Sequence, residues 1–436
     1  MTVPPTLLER ARAAARPQVT GVVTGAMGLT LSVDGVSAAV GDLVEVDPAG
    51  RPLLAEVVAV GRDRLTCMPL GGVTGVHAGA PVRATGRPLQ VPVGEALLGR
   101  VLDGLGRPVD GGPALDGRVS WVDLATTTPH ALSRARVAEP LTFGVRALDT
   151  LVPCGKGQRL GIFAGSGVGK SSLLAQITRG TDADVRVIGL IGERGREVRE
   201  FIEENLGPEG LARTVVVVAT SDEPPLVRLK AAFVATRIAE AFRDEGRDVL
   251  LLMDSITRTA MAQREVGLSA GEPPATRGYP PSVFAMMPQL LEKAGTGAVG
   301  SITGLYTVLV EGDDHNEPIA DTARSILDGH VVLTRKLATT GHFPAIDVLE
   351  SISRVAGTVV PPAQMADARE VRRLMGALRD VRELIEIGAY QAGSDPLVDR
   401  ARQLAPQIDA FLQQPLGESA SAPEAWAWLQ RIVRAA

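Results

Sequence analysis

A glycine-rich octet, Ala164-Gly165-Ser166-Gly167-Val168-Gly169-Lys170-Ser171, follows an apolar run and opens a helical pattern. In that setting such an octet suits phosphate binding. Gly165, Gly167 and Gly169 free the backbone to turn its N–H groups inward around phosphate oxygens. Lys170 would reach the β- and γ-phosphates, the Ser171 hydroxyl a Mg2+ ion, and the helix N-terminus adds its dipole. The expected nucleotide contacts run through Gly165, Ser166, Gly167, Val168, Gly169, Lys170, Ser171 and Ser172. Ala164 replaces the usual first glycine, at little cost where its φ is negative.

Hydrolysis needs more than a phosphate grip. Arg247-Asp248-Val249-Leu250-Leu251-Leu252-Met253-Asp254 reads as a buried strand ending in a carboxylate. Asp254 would hold Mg2+ through water; alone it would read as a helix cap before Ser255-Ile256-Thr257. Ile191-Gly192-Glu193-Arg194-Gly195-Arg196-Glu197 ends another strand, and strand C-termini line the ligand crevice of parallel sheets. Glu193 is the candidate base or water-orienting group, although the stretch also fits a solvated Glu–Arg turn. Charge spreading on a γ-phosphoryl group calls for an arginine. Arg354, in Ser351-Ile352-Ser353-Arg354-Val355, could serve a neighbouring copy's site or be an ordinary surface residue.

The elements that must carry these groups fall into four textures. Short β-branched runs between Val19 and Arg87, broken by turn residues, predict a small β-barrel: 19–24, 29–33, 43–46, 55–60, 65–68 and 81–84. A Gly/Pro-rich stretch from Val91 to Asp116 reads as a structured connector. From Leu141 to Pro361 strands at 159–163, 185–191, 214–219, 249–253, 302–310 and 330–333 alternate with helices, among them 170–178, 197–205 and 225–245. That alternation predicts an α/β domain with a mostly parallel sheet. From Gln364 the pattern is helical, at 366–387 and 397–413, with Pro406 and Pro415 as interruptions. The domains are thus placed at 1–18 (a helix stopped by Pro17), 19–88, 89–360 and 361–436.

Composition narrows the function. With 436 residues, 45% hydrophobic and 22% charged, the chain can bury a large core. A net charge of −5 and the absence of Phe, Tyr and Trp from residues 19–87 argue against nucleic-acid stacking in the barrel. Cys67 and Cys154 lack any framework spacing and predict unpaired thiols in a cytoplasmic protein. No signal peptide precedes the helical N-terminus, and no apolar run approaches the ~18 residues a membrane span needs.

Several stretches together resemble the catalytic subunits of rotary ATP synthases, and most closely the type III protein export ATPases. They are Gly157–Phe163 leading into the octet, Gly192–Val198, Gly271–Ser282, Val310–Asp314 and Ser325–His330. Ala260-Met261-Ala262-Gln263-Arg264-Glu265 and Ala164–Gly169 resemble the flagellum-specific members. The likeness implies an ATP hydrolase using ATP and Mg2+, a β-barrel, a RecA-like domain and a helical C-terminal domain. It implies a homo-hexamer with Glu193 as catalytic carboxylate, Arg354 as a finger given in trans, and Arg194 and Arg258 beside the phosphates. Phe343 would pack on adenine, with Phe411–Leu416 as the opposite wall; Leu416 stands where ATP synthase subunits carry an aromatic. Implied partners are a dimeric negative regulator at the N-terminal helix, a central stalk protein near Gly278–Ser282, export substrates and chaperones, and a membrane export gate. Arg10, Arg12 and Arg16 also suit acidic lipid head groups at the cytoplasmic face of the inner membrane. The alternatives are an injectisome ATPase, a rotary synthase subunit needing a second chain, an RNA translocase and a nucleotide-binding scaffold.

Overall fold

A computed structural model describes residues 19–48, 50–310 and 317–435. The expected N-terminal helix and Glu311–Asp314 lie outside the described residues.

Thr20–Met27, Thr30–Asp34, Arg64–Pro69, Leu53–Val60, Asp42–Val46 and Pro81–Pro88 pair in that order into a closed barrel. Alternate residues such as Leu31 and Val33 point inward, onto a core with Val23, Val44, Val57, Cys67 and Val82. Closure leaves no free strand edge. A second set of barrel side chains, Leu43, Met68 and Leu70, belongs to the core of the following domain. The junction also carries an ion pair, Lys230 Nζ to Glu56 Oε2 at 2.6 Å.

The connector is more than a bridge. Gln90–Val93 and Ser120–Asp123 form a small antiparallel pair, and Val101–Asp103 adds a parallel strand to the edge of the main sheet. Its Gly/Pro-rich turn is pinned by Arg100, whose Nε and Nη2 each donate to Asp110 at 2.7 Å.

The main sheet runs Ile346–Ser353, Gly329–Leu333, Arg159–Ala164, Ser301–Leu309, Asp248–Asp254, Val185–Ile191, Thr214–Ala219, Val101–Asp103. All but the first strand in that order are mutually parallel; Ile346–Ser353 runs antiparallel to Gly329–Leu333. Val185–Ile191 is buried along its whole length, as a strand covered on both faces must be. Helices Lys170–Gly180 and Pro225–Asp244 are among those that cover it, the second with proline at its first turn. The expected helix at 197–205 begins earlier, at Gly195, and passes into a wider turn over Phe201–Leu206.

Three longer helices close the chain: Pro362–Asp380, Pro396–Leu412 and Ala422–Arg434. The expected single helix 366–387 breaks at Val381, with a short helix Arg382–Glu386 beyond. Pro406, expected as an interruption, lies inside Pro396–Leu412. It is solvent-exposed, as is Arg402 one turn earlier, so water can satisfy the carbonyl that the proline cannot bond. These helices share one hydrophobic core with Phe143, Leu148 and Leu174 of the preceding domain. Cys67 and Cys154 are both buried free thiols. Among the described residues, no helix is long and apolar enough to cross a membrane.

Candidate active site

The glycine-rich octet joins strand Arg159–Ala164 to helix Lys170–Gly180 at the C-terminal edge of the parallel strands. Gly167 and Gly169 have φ of 77° and 87°, a region that side chains with a Cβ avoid. Ala164 is the last residue of the strand, where extended backbone tolerates its methyl. Ser171 and Ser172 are exposed at the helix N-terminus, beside the unpaired amides that make such an end attract anions.

Lys170 reaches two carboxylates from two further strands. Its Nζ bonds Asp254 Oδ1 and lies 3.5 Å from Glu193 Oε1. Asp254, at the end of Asp248–Asp254, is buried, and Thr307 Oγ1 also donates to its Oδ1 at 2.7 Å. The peptide bond after it is cis, and Ser255 then caps helix Ile256–Ser269 by accepting from Arg258 N–H. The cap is therefore Ser255 and not Asp254, whose carboxylate instead pairs with Lys170 and Thr307.

Glu193 follows Gly192, whose φ is 72°. A Cβ on Gly192 would come within 2.8 Å of Arg258 Cβ, so glycine lets the Glu193 turn press against that arginine. Burial pushes the Glu193 carboxyl above the ordinary glutamate value; Lys170 opposes the rise, and Asp254 and Glu197 add to it. A carboxyl raised in this sense is a better proton acceptor than a solvated glutamate. Arg258 Nε is buried without a hydrogen-bond partner among the described residues. Arg194, by contrast, is 81% exposed and turns to Glu197 at 3.3 Å.

Arg354 is not in this cluster. Ser353 pairs with Gly329 at the opposite edge of the sheet, and Arg354 N–H donates to Asp328 carbonyl at 3.0 Å. Its side chain is exposed, and its Nη2 donates to the Arg324 carbonyl at 3.4 Å.

A cavity of about 690 Å3 opens beside the octet, lined in part by Gly169, Gln176, Phe343, Pro344, Pro415 and Leu416. The Phe343 ring lies over Gly169, close enough that a Cβ there would meet it at 3.1 Å. Phe411 requires a correction. It is fully buried, edge-on to Trp428 with ring centroids 5.5 Å apart, and does not line the cavity. Helix Pro396–Leu412 turns it inward, and the wall is made by Gln413–Leu416 after the helix ends.

Sequence reasoning missed Thr307, Gln176 and Arg335, whose Nη2 donates to Ser166 carbonyl at 3.3 Å. None left a distinctive signal: Thr307 is one of four hydroxyl-bearing residues in Ser301–Leu309.

Fold and site together define a P-loop nucleotide-binding protein of RecA-like architecture. Family models match three consecutive regions: the ATP synthase alpha/beta family β-barrel domain over residues 23–86, its nucleotide-binding domain over 144–353, and the T3SS EscN ATPase C-terminal domain over 360–431. The chain is 50% identical over 415 residues to the flagellum-specific ATP synthase of Bacillus subtilis, covering 94% of each. It is 51% identical over 397 residues to the type 3 secretion system ATPase of Xanthomonas euvesicatoria, covering 91% of this chain and 90% of that one. The structure of the assembled ATPase EscN in complex with its central stalk EscO, from enteropathogenic E. coli, superposes with a TM-score of 0.88 at 44% identity, over 95% of this chain and 100% of that one. The chain belongs to the ATP synthase alpha/beta family, in the branch that holds flagellum-specific ATP synthases and type 3 secretion system ATPases.

Proposed function

We propose that the chain is an ATP hydrolase that energises type III export of flagellar proteins, working as a homo-hexameric ring with its active sites between subunits. The convergence of Lys170, Glu193 and Asp254 beside the phosphate loop carries the catalytic part of this reading. The ring part is supported by Arg354, which stands at the far edge of the sheet from its own Lys170 and is free to face a neighbour. An assembled relative with a central stalk supports the same reading.

In the proposed reaction the octet's amides and Lys170 hold the β- and γ-phosphates, Lys170 exchanging part of its contact with Asp254 for phosphate oxygen. Glu193 orients a water molecule in line with the γ-phosphorus and accepts its proton as the P–O bond to ADP breaks. A neighbour's Arg354 spreads the charge of the transferring group. Arg258, packed against Gly192, and the exposed Arg194 would add positive charge beside the bound phosphates. Ser171 and Asp254 offer the hard oxygen donors that Mg2+ prefers, and the ion would neutralise β/γ-oxygen charge. Among the described residues no group of three or more His, Cys, Asp or Glu could hold a metal alone, which fits an ion that relies on phosphate and water for its remaining ligands. Adenine would sit between Phe343 and Leu416.

The domain division at residues 18, 88 and 360 belongs to this reading, with the first segment as docking site for a regulator. So do a stalk contact near Gly278–Ser282, contacts with export substrates and the membrane gate, and a position at the cytoplasmic face of the inner membrane. Identity to flagellar and injectisome relatives is nearly equal, at 50% and 51%, so an injectisome role is the second reading. The resemblance of Ala164–Gly169 and Ala260–Glu265 to flagellar members favours the first. The test is phosphate release against protein concentration, with Glu193→Gln as control. Turnover per chain should rise with concentration as rings close; a rate per chain independent of concentration, from chains shown to be monomeric, would refute the shared site.

A further inference from the structure

The wall of the base cavity is a short segment hung between two fixed points. Helix Pro396–Leu412 ends just before Gln413, and Ser419 is wedged against Gly144 and Gly180. A Cβ on Gly144 would sit 2.9 Å from Gly180 Cα, so this lower anchor is backbone packed on backbone at the end of the P-loop helix. Between the anchors, Gln176 donates to the Pro415 and Glu418 carbonyls and Arg179 to that of Leu416, while one buried arginine holds the start of the segment where it leaves the helix.

Arg146 opens helix Arg146–Leu151 and is only 5% exposed. Its Nε donates to Phe411 carbonyl at 2.8 Å, its Nη2 to Gln413 carbonyl at 2.6 Å, and its Nη1 pairs with the Glu418 carboxylate. The guanidinium also lies 4.9 Å from the Trp428 ring centre. A planar fork can serve these acceptors in separate directions, and it suits the unpaired carbonyls of a helix C-terminus. The Arg146 backbone N–H donates to Gln414 Oε1 at 2.9 Å, and Gln414 Nε2 donates to Gly144 carbonyl at 2.7 Å. Gln414 N–H in turn donates to Phe343 carbonyl at 2.9 Å, tying the two walls of the cavity to each other. Arg146 itself does not line the cavity.

We propose that Arg146 is a positioning residue for nucleotide recognition: it sets the Gln413–Leu416 wall at the distance from Phe343 at which a nucleobase is gripped. The proposal rests on the reading that the base occupies this cavity. The energy of this clamp is felt by the base and not by the phosphates, because its bonds end on the wall. Inorganic tripolyphosphate, which lacks base and sugar, is therefore the discriminating probe.

Arg146→Lys, made in the full chain, keeps the charge and loses the fork. It should raise KM and Kd for ATP about tenfold, hold kcat within about twofold, and leave tripolyphosphate affinity unchanged. Glu418→Gln, at a half-exposed position outside the cavity, should shift ATP affinity in the same sense by a smaller factor and gives the readout should Arg146→Lys fail to fold. If ATP and tripolyphosphate affinities fall together, Arg146 only stabilises the chain and the proposal is wrong. It is equally wrong if folded variants bind ATP as the parent does. Phe343→Ala separates the two ideas. Unchanged ATP affinity there would mean that the base lies elsewhere, whereas a loss there with none in the other two variants would remove only the positioning role.

Discussion

Lys170 and Arg354 stand at opposite edges of one sheet. Arg354 is level with Arg159, through Asp328, at the start of the strand whose far end leads to Lys170. Some 17 Å of strand separates those levels, at about 3.3 Å per residue, more than an arginine side chain spans. Arg354→Ala should therefore bind ATP normally yet lose about a thousandfold in kcat. Mixed with Lys170→Ala chains, it should regain activity, because each supplies what the other lacks. No recovery in rings shown by mass to contain both chains would rule out the trans role.

Glu193 gives a pH signature. Burial holds its carboxyl above the ordinary glutamate value, so the active, ionised form is lost at a higher pH than for an exposed glutamate. The acid limb of the kcat profile should lie above that ordinary value, with rate falling as pH drops through it. Glu193→Gln should bind ATP, turn over at least about a hundredfold more slowly, and lack this limb. A parent acid limb at the pKa of a solvated glutamate would contradict the assignment.

Base recognition should be tunable at Leu416. The cavity wall opposite Phe343 offers an aliphatic side chain where an aromatic would add stacking. An aromatic contact is worth about 0.5–1.5 kcal/mol, so Leu416→Tyr should lower KM for ATP by roughly twofold to tenfold. Parallel measurements with a pyrimidine triphosphate should show a smaller gain; equal gains would mean that residue 416 does not touch the base.

Asp149 predicts a stability slope. Its Oδ1 accepts Phe143 N–H at 2.8 Å, its Oδ2 is buried without a partner among the described residues, and burial pushes its carboxyl up to about 7. The folded state thus holds a proton that the unfolded chain releases near pH 4. By linkage its contribution is fully present below the unfolded value and is lost as pH rises from about 4 to about 7. Urea midpoints of the parent should fall over that window, and Asp149→Asn should fall less. Equal slopes would show that the carboxyl is ionised in the fold.

Much of this was legible in the sequence because local signals coincided with tertiary needs. The barrel strands were marked by turn residues on both sides, and the octet carries its own backbone geometry in Gly167 and Gly169. Asp254 and Glu193 were reachable because both end strands of one parallel sheet, whose C-termini converge. Phe411 was misplaced because helical phase, not proximity in sequence, decides which residue faces the cavity; Leu416, outside the helix, does. Arg146 and Gln414 left no trace, since 268 residues separate partners that meet only after two domains pack.

The antiparallel edge strand, Ile346–Ser353, links two of these places. Phe343, just before it, touches the P-loop of its own chain, and Arg354, just after it, leaves by the opposite edge. It is in effect a rod roughly 25 Å long with an aromatic ring beside the P-loop at one end and a charge at the other. Set head to tail around a closed ring, such rods all point the same way. In the ring proposed above, each chain would then meet its two neighbours through different ends of this strand, so the two neighbours of a filled site would not be equivalent.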